Sequence, residues 1–363
     1  MNKNGFTLVE LLAVIAILAL LVIIALPNVL NMFNQAKKDV FLTEAKTIYK
    51  EVSKKYISEN MKGNKITNIS NDNNKLDIES NDLEYNFKLD SRGNIKKVLI
   101  GNDSYCLNGK FSSIGELTVD KVTEGKCEYI GPKSFEKDSL KTIVDAVIEE
   151  DTDLYNVGDT KEIDLGTYGK HIIRVANKST PSECNNENFS QTACGFVIEF
   201  VDIITGSGMN DSNTNVGGWS TSKIRNFVNT QIYNSLPRNL KRGIINTRVI
   251  SGHGKDDNDN FVTTDKLYLL STAEIWWQDD DTIKNDTARD VTRQLDYYKF
   301  KNTTVTNISP VIKSNGENNP SPWRIRTPNS NFNNYFYFVH TNGNCSYTGA
   351  DNIFGVSPAF RIG

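Results

Sequence analysis

The sequence predicts an α+β protein: a long N-terminal helix packed on a small antiparallel sheet, followed by a second, mixed and β-rich domain. Three observations carry this expectation. An apolar run from Phe6 to Leu26 passes at Pro27 into an amphipathic stretch that lasts to about residue 60. Residues 65–130 then read as short alternating segments separated by turn residues. Residues 153–363 are rich in Asn and Gly and hold several short strand-like runs with one amphipathic helix among them. At 363 residues, the chain is long enough for more than one folded unit.

In chain order, residues 1–5 are a short polar leader ending in Gly5, and 6–28 are long and apolar enough to span a bilayer. Glu10 is the one charge in that run. A carboxylate there costs about 2.5–3.5 kcal/mol on insertion scales, so it calls for a partner and a task. Residues 29–131 form the amphipathic helix and a first head. Val29, Leu30, Met32, Phe33, Ala36, Val40, Phe41, Ala45, Ile48, Tyr49, Val52, Tyr56 and Ile57 follow a three-to-four spacing, and Asn60 and Gly63 end the helix. Leu83 to Leu89 alternates with period two, Asp90 to Asn94 is a turn, and Ile95 to Ile100 answers it as a hairpin. With strands around Cys106 and Cys127, a four-stranded antiparallel sheet follows. Residues 132–152 read as a connector holding a short helix. The last part, 153–363, offers strands at Lys161–Leu165, Lys170–Ala176 and Cys194–Ile204, then an amphipathic helix from Ser220 to Leu236. A hairpin over Tyr335–Tyr347, turning at Asn342-Gly343, and a final strand at Val356–Ile362 complete it.

Gly5-Phe6-Thr7-Leu8-Val9-Glu10 closely resembles the type IV prepilin signature, and the likeness covers roughly the first 60 residues. The resemblance implies cleavage between Gly5 and Phe6 by prepilin peptidase, methylation of the new amine on Phe6, and subunit assembly through Phe6, Glu10 and Pro27. Pro27 falls where helices of that family commonly bend. The physics agrees independently. Glu10 lies about one helical turn from Phe6, and an ammonium on Phe6 of the same or an adjacent chain is its natural counter-ion in low dielectric. The pieces GGWSTSKIRNFVNTQIYNSLP, TDKLYLLSTAEIW, WRIRTP and GVSPAFRIG resemble a domain of unknown function recurrent in Gram-positive surface proteins. The layout is also distantly similar to the C-type-lectin or sulfatase-modifying-factor type.

The net charge of −3 carries no basic excess, so no nucleic-acid partner is expected. His171, His253 and His340 make no metal-binding pair, and no G-x-S-x-G or Walker motif occurs. No cofactor, metal or catalytic residue is therefore expected, and the chain reads as a non-enzyme. Asp256–Asn260 and Asp279–Asp281 are oxygen-rich but lack an EF-hand frame, which leaves calcium there open against solvated turns; Asp211–Asn215 is similar. Export makes disulfides permissible; proximity favours Cys106–Cys127 and Cys184–Cys194, with Cys345 left over. Trp219, Trp276, Trp277, Tyr297, Tyr298, Trp323 and Tyr335–Phe338 read as core, with exposed rings that hold sugars as the alternative.

Together these readings imply a minor type IV pilin. It is embedded in membrane lipid as a single-pass protein, then drawn by the pilus assembly platform into a cell-surface filament with other pilin subunits. There it displays a C-terminal module for adhesion, contacting a surface or glycan ligand. A pseudopilin of a secretion or DNA-uptake system, and a membrane-displayed enzyme with 153–363 as catalytic domain, stand as alternatives.

Overall fold

The structure is a computed structural model that describes residues 8–71, 74–78, 83–127, 132–276, 288–316 and 319–363; the side chains at 24, 25, 27 and 28 are not among those described. It is α+β and divides into two compact units, Met1–Ile130 and Gly131–Gly363.

The first unit is built on α1, one helix over Leu8–Met61, about 80 Å long at 1.5 Å per residue. No glycine interrupts it, and it is continuous through position 27. Gly63 ends it in a left-handed conformation (φ 84°), and its N–H bonds the Asn60 carbonyl while Asn64 N–H bonds that of Glu59. Only the second half buries a stripe: Phe41, Ala45, Ile48, Tyr49 and Val52, at helical spacing. Val40 and Ile57, expected on that stripe, are exposed. The stripe covers a sheet of β1 (Asn68–Ser70), β2 (Glu84–Leu89), β3 (Ile95–Gly101), β4 (Tyr105–Gly109) and β5 (Thr123–Glu124). They pair antiparallel in that order, five strands where the sequence suggested four. The extra pairing comes from strands of two and three residues, too short to leave a periodic signal.

The β2–β3 hairpin turns on Asp90. Its carboxylate accepts from the Arg92 and Asn94 backbones and the Asn94 amide, each at 2.9 Å. Those bonds, the Asn94 side chain's first, with Lys96 helping, hold its pKa down to about 2.

The second unit has its own core. The stretch read as a connector lies inside it: α2 (Leu140–Ile148) is capped by Ser139 and buries Ile143 and Val144 in that core, beside Phe135 and Tyr155. Strands β6 (Thr160–Asp164), β7 (Lys170–Asn177) and β8 (Phe196–Phe200) follow, then β9 (Thr205–Ser207), the ribbon of β10 (Thr247–Ser251) and β11 (Phe261–Asp265), and β12 (Trp323–Pro328). The chain closes with β13 (Tyr335–Val339), β14 (Cys345–Gly349), β15 (Phe354–Val356) and β16 (Ala359–Ile362). One sheet is antiparallel, β16-β8-β7-β6; the other is mixed, β14-β13-β12-β15-β9, with β12 and β15 parallel.

The amphipathic helix of 220–236 is segmented: Gly218–Thr221, Lys223–Phe227, a π turn over Val228–Ile232, then Tyr233–Ser235. Ile224, Val228, Ile232 and Leu236 still face the core, four residues apart. The expected last strand splits at Ser357-Pro358 and serves two sheets, because Pro358 has no N–H to continue a ladder.

Candidate functional site

The expected assembly residues sit at the start of α1. Gly5 and Phe6 lie outside the described residues, as does the side chain of Pro27. Glu10 is in the first turn of α1 and exposed. From Leu8 to Phe33 the described apolar side chains are exposed, Val9 at 73% and Phe33 at 62%. Among the described residues no helix is long and apolar enough to cross a membrane.

In the first unit Cys106 on β4 is bonded to Cys127, and in the second Cys184 to Cys194. Cys345 belongs to neither and is half-buried against the second core.

Two ionic clusters occupy the second core, and sequence reasoning assigned roles to neither. Arg326, on β12, forks onto Glu274 at 2.8 and 2.7 Å and reaches Asp290 at 3.0 Å. All three are fully buried. Glu274 closes a capping box with Ser271 on the turn Thr272–Ile275 and accepts from Thr192 and Thr292. Asp290 accepts from the Thr327 hydroxyl at 2.6 Å; burial nevertheless raises its pKa against the pull of Arg326.

The second cluster centres on Glu199 of β8. It accepts from Arg174 at 2.7 Å, Lys313 at 3.0 Å and the Tyr298 hydroxyl at 2.8 Å. Burial favours the neutral acid, but Arg174 and Lys313 overcome it and hold the Glu199 pKa at about 2. Burial lowers the Lys313 pKa, although its ammonium also bonds the Phe200 carbonyl and Ser357. A Lys–Glu–Tyr–Ser grouping has the parts of acid–base chemistry. Here Glu199, Tyr298 and Ser357 are fully buried and Lys313 is 2% exposed, so the grouping is closed to a substrate and ties β7, β8 and the 313 loop together.

An exposed face forms where β13 and β14 meet the loops. Phe332, Tyr335 and Tyr347 are mutual neighbours, with ring centroids 5.1, 5.8 and 5.5 Å apart. Phe332 is 43% and Tyr347 47% exposed, their planes within 26°. Asn215, fully buried, fixes this face: its amide donates to the carbonyls of Asn329, Phe332 and Tyr335. The neighbouring oxygen-rich loops are fastened by their own side chains. Asp257 accepts from Gly217 N–H at 3.0 Å, Asp256 from the Asn333 amide at 2.8 Å, and Asn213 from Ala350 N–H at 3.0 Å. Among the described residues no group of His, Cys, Asp and Glu is arranged to hold a metal ion; Asp279–Asp281 lie outside them, as does Trp277.

The core reading of the aromatics holds for Trp219, Trp276, Tyr297, Tyr298, Trp323 and Phe336–Phe338, all buried, while Tyr335 is only partly so. Sequence reasoning missed Phe332 and Tyr347; an aromatic in an Asn-rich loop and another opposite the Tyr335–Phe338 strand were the available signals. A cavity of about 340 Å³ beside β9 and β15 is walled by Ile203, Gly206, Pro322, Ile353 and Phe354. Among the described residues, no titratable side chain lines it.

Residues 1–26 match the prokaryotic N-terminal methylation motif. Residues 198–363 match a domain of unknown function (DUF6273). The combination is consistent with a type IV pilin-like protein. No curated protein and no solved structure matches the chain. The second matched stretch opens inside β8, so β6 and β7, which complete its sheet and bring Arg174 to Glu199, lie ahead of it.

Proposed function

We propose that the chain is a minor type IV pilin, cut by prepilin peptidase between Gly5 and Phe6 and methylated on Phe6. It then assembles with other pilin subunits into a surface filament, on which the second unit makes contact with a ligand. The observation that carries this reading is the methylation motif continuing directly into α1, whose first half exposes apolar side chains while only its second half serves a core. Such a half-helix needs an apolar setting, first the bilayer and then the filament interior. The minor role follows from bulk, since a subunit with two folded units is hard to accommodate at every position of a filament. Contact rather than catalysis fits a second unit whose ionic clusters are closed to solvent while an aromatic face is open.

The test is immunogold labelling of filaments from cells making the wild-type chain or Glu10→Leu. Wild type labels the filaments. Glu10→Leu reaches the membrane but is lost from them, because the carboxylate that pairs with the Phe6 amine is gone. Absence of the wild-type chain from filaments, with piliation unchanged on its deletion, contradicts the pilin reading; normal incorporation of Glu10→Leu contradicts the pairing.

A further inference from the structure

We propose that the face formed by Phe332, Tyr335 and Tyr347 is a binding site for neutral saccharides. The inference rests on the contact role proposed for the second unit and names the chemistry of the ligand.

Three properties of the face lead there. It is built before any ligand arrives. Phe332 and Tyr335 take their positions from backbone carbonyls held by the buried Asn215 amide. Three loops are also bonded to the 332–334 backbone: Asn215 N–H to Asn333, Lys255 N–H to Phe332, and Ala350 N–H to Asn334. Rings fixed in this way lose little freedom on binding.

Its surface is apolar in the middle and polar at the edge, the usual character of a small-ligand site. Tyr335 stands opposite Gly349 in the β13–β14 ladder. A Cβ at Gly349 would lie 2.9 Å from both the Asn213 and Asp351 side-chain oxygens, so those oxygens occupy the ladder position across from Tyr335. The C–H face of a pyranose stacks on aromatic rings while its hydroxyls reach adjacent amide and carboxylate oxygens. Three ring faces are also far less than the about 800 Å² per partner that a stable protein interface buries.

Its charge selects against anions. With Lys223 and Asp211 paired to each other, the surrounding loops carry Asp256, Asp257 and Asp351 against Lys255. An acidic border repels phosphate, sulfate and sialic acid and leaves uncharged sugars favoured.

The experiment applies the full-length chain in detergent to an array of neutral, sialylated and sulfated glycans. Neutral glycans are expected to retain it. Phe332→Ala and Tyr347→Ala should each weaken retention about tenfold, the effect of losing one stacked ring. Tyr347→Phe should keep it, and all variants should melt with the wild type. Should an alanine variant lose its thermal transition, Phe332→Leu and Tyr347→Leu replace them, keeping apolar bulk without a ring face. Retention of acidic glycans alone, retention indifferent to these substitutions, or no retention of the folded wild type overturns the proposal. Filament labelling beside the array separates the two readings. A wild-type chain that enters filaments but retains no glycan refutes the saccharide site and leaves the pilin role standing, whereas a wild-type chain absent from filaments refutes the latter.

Discussion

Glu274 stands where several distant segments meet, accepting from Arg326, Thr192 and Thr292 and from the Ser271 backbone N–H. A buried ion pair need not stabilise more than well-packed apolar residues, but removing one partner leaves a buried charge uncompensated. Glu274→Ala should therefore cost about 3–5 kcal/mol, with the lost capping box included. By contrast, removing the exposed Lys170–Glu162 pair, both side chains more than half exposed, should leave stability nearly unchanged, because water screens it. Denaturant unfolding of the full chain checks both, and a Glu274→Ala loss no larger than that of the surface pair would contradict the account. This cluster was not legible: Arg324 and Arg326 alternate with Trp323 and Ile325, a period-two pattern that reads as arginines turned to solvent, yet both are buried. The partners of Arg326 were hidden too, because Glu274 and Asp290 lie far away in sequence and no local pattern links them.

The elements divide by how local their causes are. The course of α1 was readable because composition, period and the Gly63 stop all act within a few turns. The β2–β3 hairpin was readable because Asp90, Gly93 and Asn94 make the turn among themselves. The split of the last strand and the π turn at 228–232 were not, since both answer to packing from elsewhere in the second unit. Gly93 shows how tightly a readable turn can be tied to a distant element. Its φ of 85° already disfavours any side chain, and a Cβ there would come within 2.1 Å of the Tyr56 ring on α1. Tyr56 in turn donates to the Ser91 carbonyl at 3.1 Å. Gly93→Ala should cost about 1–2 kcal/mol for the backbone alone and more for displacing the ring. Tyr56→Ala should relieve the second part, so the double variant should be less destabilised than the sum of the singles. Strict additivity in that cycle would mean the ring and the turn are not coupled.

On the scale of the whole molecule, each unit has its own hydrophobic core and its own disulfide, and the two cores share no residue. Each should therefore unfold as its own cooperative transition, with separate acid responses. In the first unit Asp90 is held at about 2 by its turn bonds, below an unfolded value of about 3.9. A depressed acid adds stability above its unfolded pKa and loses it as pH falls through the folded one, so this contribution fades between about pH 4 and pH 2. In the second unit Glu199, also held at about 2, acts in the same direction. Asp290 opposes it: its pKa is raised, so its contribution is complete below about 3.9 and is lost as pH rises through the folded value. Acidification should thus weaken the first unit while the second gains from Asp290 part of what it loses at Glu199. Calorimetry from pH 7 to pH 2 should show two transitions, the first unit's falling more steeply. Asp90→Asn should flatten the acid response of that transition alone, and Asp290→Asn should make the other steeper. A single transition, or one whose acid response changes with both substitutions, would show that the units fold as one and that their ionic clusters answer to a common core.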